Sequence, residues 1–221
     1  MGLKIYSSTL GRTNTCSEDI KSSLEGLQVD RICGLVFCGV DSSMEYSQLL
    51  STLKAAVYRL LGRQVPVTLI PQYLLPNGGL SLDIYTLDGD TTIEIGEQNG
   101  VCYGAIRGGE ESLLFIEGIP ASDFTNSVCQ QSEEVFCKLD EILTMYGFAV
   151  DDIVRQWNYI GSIVSCRDGK QNYQEFNDAR TRYYAKGQWQ NGYPAATGIG
   201  ASGEGIIVGC IAFKSAARAI F

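Results

Sequence analysis

Between Arg31 and Val40 almost every side chain is apolar or small, a run of the length and composition of a buried strand. The spacing then changes. Tyr46, Leu49, Leu50, Leu53, Val57, Leu60 and Leu61 recur at intervals of three and four, which places them on one stripe of a helix. Ser42-Ser43-Met44-Glu45 has the S-x-x-E spacing of a capping box, so the helix is predicted to start there, and Gly62 supplies its stop. Gln64 to Gln72 and Leu80 to Leu87 read as further strands.

A longer series follows the turn signal Asp88-Gly89. Thr91 to Glu97, Val101 to Arg107 and Ser112 to Gly118 are strand-like, and Asn99-Gly100 and Gly108-Gly109 suit tight hairpins between them. Val128, Val135, Leu139, Ile142 and Tyr146 mark a helix ending at Gly147, with Glu134 and Lys138 four apart on its other side. Asp152 to Ser162 is a strand, and Tyr173, Phe176, Arg180, Tyr183 and Tyr184 fall at helical spacing up to Gly187. Ala195 to Ile199 and Ile206 to Phe213 close the series.

The order β-β-β-α-β-α-β-β predicts an α/β (α+β) fold in which one mixed sheet carries both helices on one face. The first series, strand-helix-strand, reads as a partial copy, giving a unit at 1–88 and a second at 89–221. Ile153, Trp157 and Tyr159 alternate with Val154 and Ile160, so the sheet is apolar on both faces, and the face without helices is expected to be covered by another subunit.

Composition narrows the chemistry. The chain has 221 residues, no histidine and a net charge of −8. Triads, Cys-His dyads and His-ligated zinc are excluded, and a nucleic-acid partner is disfavoured. That balance and the lack of histidine also count against ribonuclease activity. Eight cysteines occur without a C-x-x-C and read as buried reduced thiols, so no metal site is expected. No apolar run approaches the ~18 residues of a membrane helix. Met1 to Tyr6 lacks a secretory pattern, so a cytoplasmic protein without a membrane partner is expected.

The segments EGIPASD, VDDIVRQWNYI, YQEFNDARTRYY, YPAATGIG and IIVGCIAFK, in that order, resemble the Rid family, also called YjgF-like or L-PSP endoribonuclease-like, over about residues 90–214. Their wording, with the extra N-terminal half-copy, is most similar to the chorismatases of the same fold. The resemblance implies a chorismate-mutase-like sheet, a homotrimer or pseudo-trimeric assembly, small-molecule pockets at clefts between units, and no cofactor. It also implies a hydrolase that protonates the enol-pyruvyl ether of chorismate or a related cyclic carboxylic acid. Two functional residues of these relatives are missing: Ala196 stands where Rid deaminases carry arginine, and ungapped placement puts Gly209 where chorismatases carry glutamate.

Candidates for the site follow from side-chain chemistry. Arg180 shares a helix side with Tyr173, Phe176 and Asn177 and can present a planar fork to a carboxylate. Arg155 alternates with Trp157 and Tyr159 on a strand and needs a partner. Trp157 and Tyr173 can line a pocket, and Thr197 and Gly198 can position water or ligand. Glu204, in the loop before the last strand, is the reserve acid. Ligand binding or assembly without turnover, or an imine deaminase with an atypical site, is the rival reading.

Overall fold

The computed structural model describes residues 2–10, 16–40, 44–72, 79–89, 91–167, 169–190, 192–203 and 205–215. Its elements run β1 (Gly2–Thr9), α1 (Cys16–Leu24), β2 (Ile32–Val40), α2 (Tyr46–Leu61), β3 (Val67–Ile70) and β4 (Gly79–Asp88) in the first half. The second half continues with β5 (Thr92–Gln98), β6 (Val101–Gly108), β7 (Glu111–Pro120), α3 (Val128–Met145), β8 (Ile153–Gly161), a short ribbon of β9 (Cys166–Arg167) and β10 (Lys170–Gln171), α4 (Asn172–Tyr184), β11 (Ala195–Ala201) and β12 (Ile206–Ser215).

Two mixed sheets result, ordered β1-β4-β2-β3 and β11-β8-β12-β7-β6-β5. Their topologies correspond. In each, a β-α-β unit forms a parallel pair, β2 with β3 and β8 with β11, while the last strand of the half lies antiparallel between the start of that unit and an earlier strand, β4 between β1 and β2 and β12 between β7 and β8. Among the described residues the first half therefore repeats the order β7-α3-β8-α4-β11-β12 and lacks counterparts of the β5–β6 hairpin and the β9–β10 ribbon. This copy is fuller than strand-helix-strand. β1 and α1 were not legible in the sequence, because β1 is an edge strand with most of its residues exposed and α1 has only nine residues.

Predicted helix ends hold at Gly62, which caps α2 at φ 68°, and at Gly147, at φ 72°. The predicted start of α2 does not: Glu45 is its N-cap and makes no side-chain cap hydrogen bond, while Ser42 and Ser43 lie outside the described residues. The cap that forms is on α3, where Ser127 and Gln130 satisfy each other's backbone N–H groups.

Each sheet turns one face to its own helices. Leu49, Leu53 and Val57 of α2 pack on Leu35, Phe37, Leu82 and Ile84, and Val135, Leu139 and Ile142 of α3 pack with Phe176 on Ile116, Ile160 and Val208. The other two faces meet. Cys33, Tyr85 and Leu87 of the first sheet join Ile106, Phe115 and Ile211 of the second in a third apolar cluster. Gly34 lets them approach, since a Cβ there would lie 2.4 Å from the Phe115 ring. The expectation of a covering subunit is thus corrected: the chain's own first half provides cover for the helix-free face. Burial of the thiols also needs correcting, since Cys137 and Cys166 are exposed. Among the described residues no helix is long and apolar enough to cross a membrane.

Candidate active site

Where the sheets diverge from their apolar contact they enclose a cavity of about 380 Å³. Its walls come from both halves. Val36, Cys38, Thr68, Ile70, Ser81, Asp83 and Tyr85 arrive from the first sheet, and Phe115, Glu117, Trp157, Tyr159 and Ile199 from the second. Gln72, just after β3, completes one side. An apolar and aromatic enclosure with a few convergent polar groups is the usual form of a small-molecule site.

Glu117 is a buried carboxyl among the residues that line this cavity. It lies in β7 within Leu113-Leu114-Phe115-Ile116-Glu117-Gly118, and its side chain is 3% exposed. Lys54 of α2 brings Nζ to 3.5 Å from Oε1, whereas Oε2 is buried without a hydrogen-bond partner among the described residues. Burial pushes the carboxyl up to about 8 against the opposing pull of Lys54, with Glu97 adding to the rise. At neutral pH the group therefore retains its proton, the state a general acid requires. The backbone beside it is anchored across the sheets, Gly118 N–H donating to Thr68 Oγ1 at 2.7 Å.

Sequence reading passed over Glu117, although the signal was present: a lone carboxylate within an apolar strand needs a compensating partner, the argument applied to Arg155. Two more polar groups share the cavity. Gln72 Oε1 is likewise buried and unpartnered. Asp83 accepts from Ser7 Oγ at 2.6 Å. Burial raises the hydroxyls of Tyr85 and Tyr159, and the Cys38 thiol to about 11, so these groups stay neutral.

The residues selected from sequence fall on two faces of the second sheet. Arg155, Trp157 and Thr197 share the face turned to the first sheet. Trp157 lines the cavity, and the Arg155 guanidinium lies 5.0 Å from its ring centroid. Arg155 also donates to Ala195 O at 3.1 Å and Thr197 Oγ1 at 2.6 Å. Both acceptors are neutral, and the guanidinium pairs with no carboxylate among the described residues.

Arg180, Tyr173, Asn177 and Gly198 lie on the opposite face, within the helix layer. The Arg180 guanidinium rests 5.9 Å from Phe176 and 5.8 Å from Tyr184. Gly198 makes room for the protein's own ring rather than a ligand, since a Cβ there would stand 2.9 Å from Tyr173. Helical spacing grouped Arg180, Tyr173 and Asn177 correctly but did not reveal which sheet face the helix covers. Glu204 lies outside the described residues.

Comparison with known proteins decides the family. The description "Chorismatase FkbO/Hyg5-like, N-terminal" belongs to a family model that matches residues 86–212. The chain belongs to this chorismatase-like family. A chorismatase crystal structure aligns over 96% of the chain at 19% identity and a TM-score of 0.59, so the fold is shared. The chain spans about half of that chorismatase, 55% of its length. A putative endoribonuclease from Thermotoga maritima aligns over 50% of this chain and 84% of its own, at 21% identity and TM-score 0.40. A YjgF/YER057c/UK114 family member from Mycobacterium tuberculosis aligns over 57% of this chain and 100% of its own, at 16% identity and TM-score 0.40. Among curated proteins none matches the sequence. The family expected from the wording of the sequence is borne out by the family match.

Proposed function

We propose that the chorismatase-like chain binds a small carboxylate-bearing ring compound in the cavity between its sheets and hydrolyses an enol-pyruvyl ether there. The observation that carries this reading is Glu117, buried in the cavity wall with Oε2 unpartnered. In the proposed reaction the Oε2 proton passes to the enol methylene carbon, leaving positive charge on the ether-bearing carbon. Water adds to that carbon and returns a proton to Glu117. The hemiketal then breaks its C–O bond to give pyruvate and the ring alcohol. Arg155, whose charge meets only neutral acceptors among the described residues, holds a substrate carboxylate at the cavity edge, and Trp157 stacks on the ring. Glu117 takes the role first given to Glu204.

Incubation with chorismate, following pyruvate and ring products by mass spectrometry, tests this reading beside Glu117→Gln. Release by the wild type and not by the variant supports it; equal release by both overturns it. Ala196 and Gly209, standing where relatives carry functional residues, favour a second reading, a ligand-binding or assembly protein without turnover. Binding of chorismate with no pyruvate from folded protein would select it. Homotrimeric or pseudo-trimeric assembly in the cytoplasm belongs to the same proposal. It draws support from the edge positions of β1 and β11 and from Ile5 and Tyr6, 54% and 42% exposed on β1, and light scattering of the purified chain checks it.

A further inference from the structure

Lys54 is the cation beside an otherwise enclosed carboxyl. It sits on α2, outside the first sheet, with its side chain 38% exposed, and it reaches a group that is only 3% exposed. Its Nζ approaches Oε1 at 3.5 Å, while Oε2 has no hydrogen-bond partner among the described residues. The two oxygens of one carboxyl are thus differentiated: one faces a partly solvated ammonium, the other is buried with no hydrogen-bond partner among the described residues.

Resting on Glu117 as the acid, we propose that Lys54 is its positioning residue: the ammonium fixes Oε1, leaves the proton to Oε2, and compensates the negative charge that remains when the proton has gone to substrate. Burial alone favours the protonated acid and penalises the carboxylate that proton donation creates. A fixed ammonium offsets that penalty without requiring water to enter the cavity. The other ionisable groups around Glu117 are Glu97 of β5, Cys102 of β6 and Tyr46 of α2. Glu97 opposes ionisation, and the Cys102 thiol and Tyr46 hydroxyl are themselves raised by burial, so Lys54 is the cation in this group.

The test follows the carboxyl directly. The infrared band of the protonated Glu117 carboxyl, identified by its loss in Glu117→Gln, is titrated in the intact chain. Lys54→Met is expected to move its midpoint upward by about one pH unit or more, with Lys54→Arg returning it most of the way. With chorismate as substrate, kcat of Lys54→Met should fall roughly tenfold at neutral pH, with KM changed less than kcat. An unchanged midpoint in Lys54→Met overturns the positioning role. If Lys54→Met does not fold, Lys54→Gln carries the same titration. Failure of the underlying reading has a different signature: Glu117→Gln hydrolyses chorismate like the wild type, whatever happens at Lys54.

Discussion

The two sides of the second sheet border polar residues held under opposite conditions. On the helix side Gln156 and Asn158 are fully buried, yet their hydrogen bonds form a closed network. Tyr184 Oη donates to Gln156 Oε1 at 2.9 Å, Gln156 Nε2 to Asn158 Oδ1 at 2.6 Å, and Asn158 Nδ2 to Thr197 O at 3.1 Å. On the cavity side Glu117 Oε2 and Gln72 Oε1 are buried without partners among the described residues, and Arg155 carries a charge that no described acid neutralises. Unmet polar groups inside a protein cost free energy, and they persist where a ligand completes them. The network around Gln156 and Asn158 reads as architecture, and the cavity-side groups as the candidate site; in the helix layer Asn177 Oδ1 and Tyr183 Oη are also buried without partners among the described residues.

The comparison can be broken most decisively at Glu117. Glu117→Gln is expected to reduce pyruvate release from chorismate at least ~100-fold with little loss of affinity, measured by steady-state kinetics and calorimetry. The same variant should alter the dependence of stability on pH. Folding raises this carboxyl from 4.5 to about 8, so the native state binds the extra proton between those values. The stability it contributes is complete below about 4.5 and is lost as pH rises through about 8. Denaturant unfolding across this window should show a decline on the order of a few kcal/mol for the wild type, and a flatter profile for Glu117→Gln.

On the helix side, Gln156→Leu strands Tyr184 Oη and Asn158 Oδ1. A stability loss of ~1–3 kcal/mol by chemical denaturation, with turnover per folded molecule unchanged, is the expected result. Arg155→Ala should weaken carboxylate binding roughly tenfold, read by calorimetry. Arg180→Ala, whose guanidinium lies over Phe176 and Tyr184, should leave affinity within about twofold of the wild type.

Much of this architecture is written in the spacing of apolar residues. β2, α2, β6, β7, α3, β8, α4 and β12 are legible because each buries a stripe or run of residues. β1 and α1 are not, since an exposed edge strand and a nine-residue helix bury too little to leave a pattern. Which element covers which face is decided by contacts between the halves. For that reason the helix-free face was assigned to another subunit, and Arg180, Tyr173 and Asn177 were placed with Arg155 and Trp157. Glu117 escaped notice because the acid was sought at the position where relatives carry one, beside Gly209. Gly209 does line the cavity; the buried carboxyl comes from the neighbouring strand β7.

The most direct measurement is pyruvate release from chorismate by the wild type, Arg180→Ala and Glu117→Gln, prepared and assayed together. The account predicts that the first two release pyruvate alike and that Glu117→Gln is silent. Activity retained in Glu117→Gln but lost in Arg180→Ala would contradict it and move the site to the helix face.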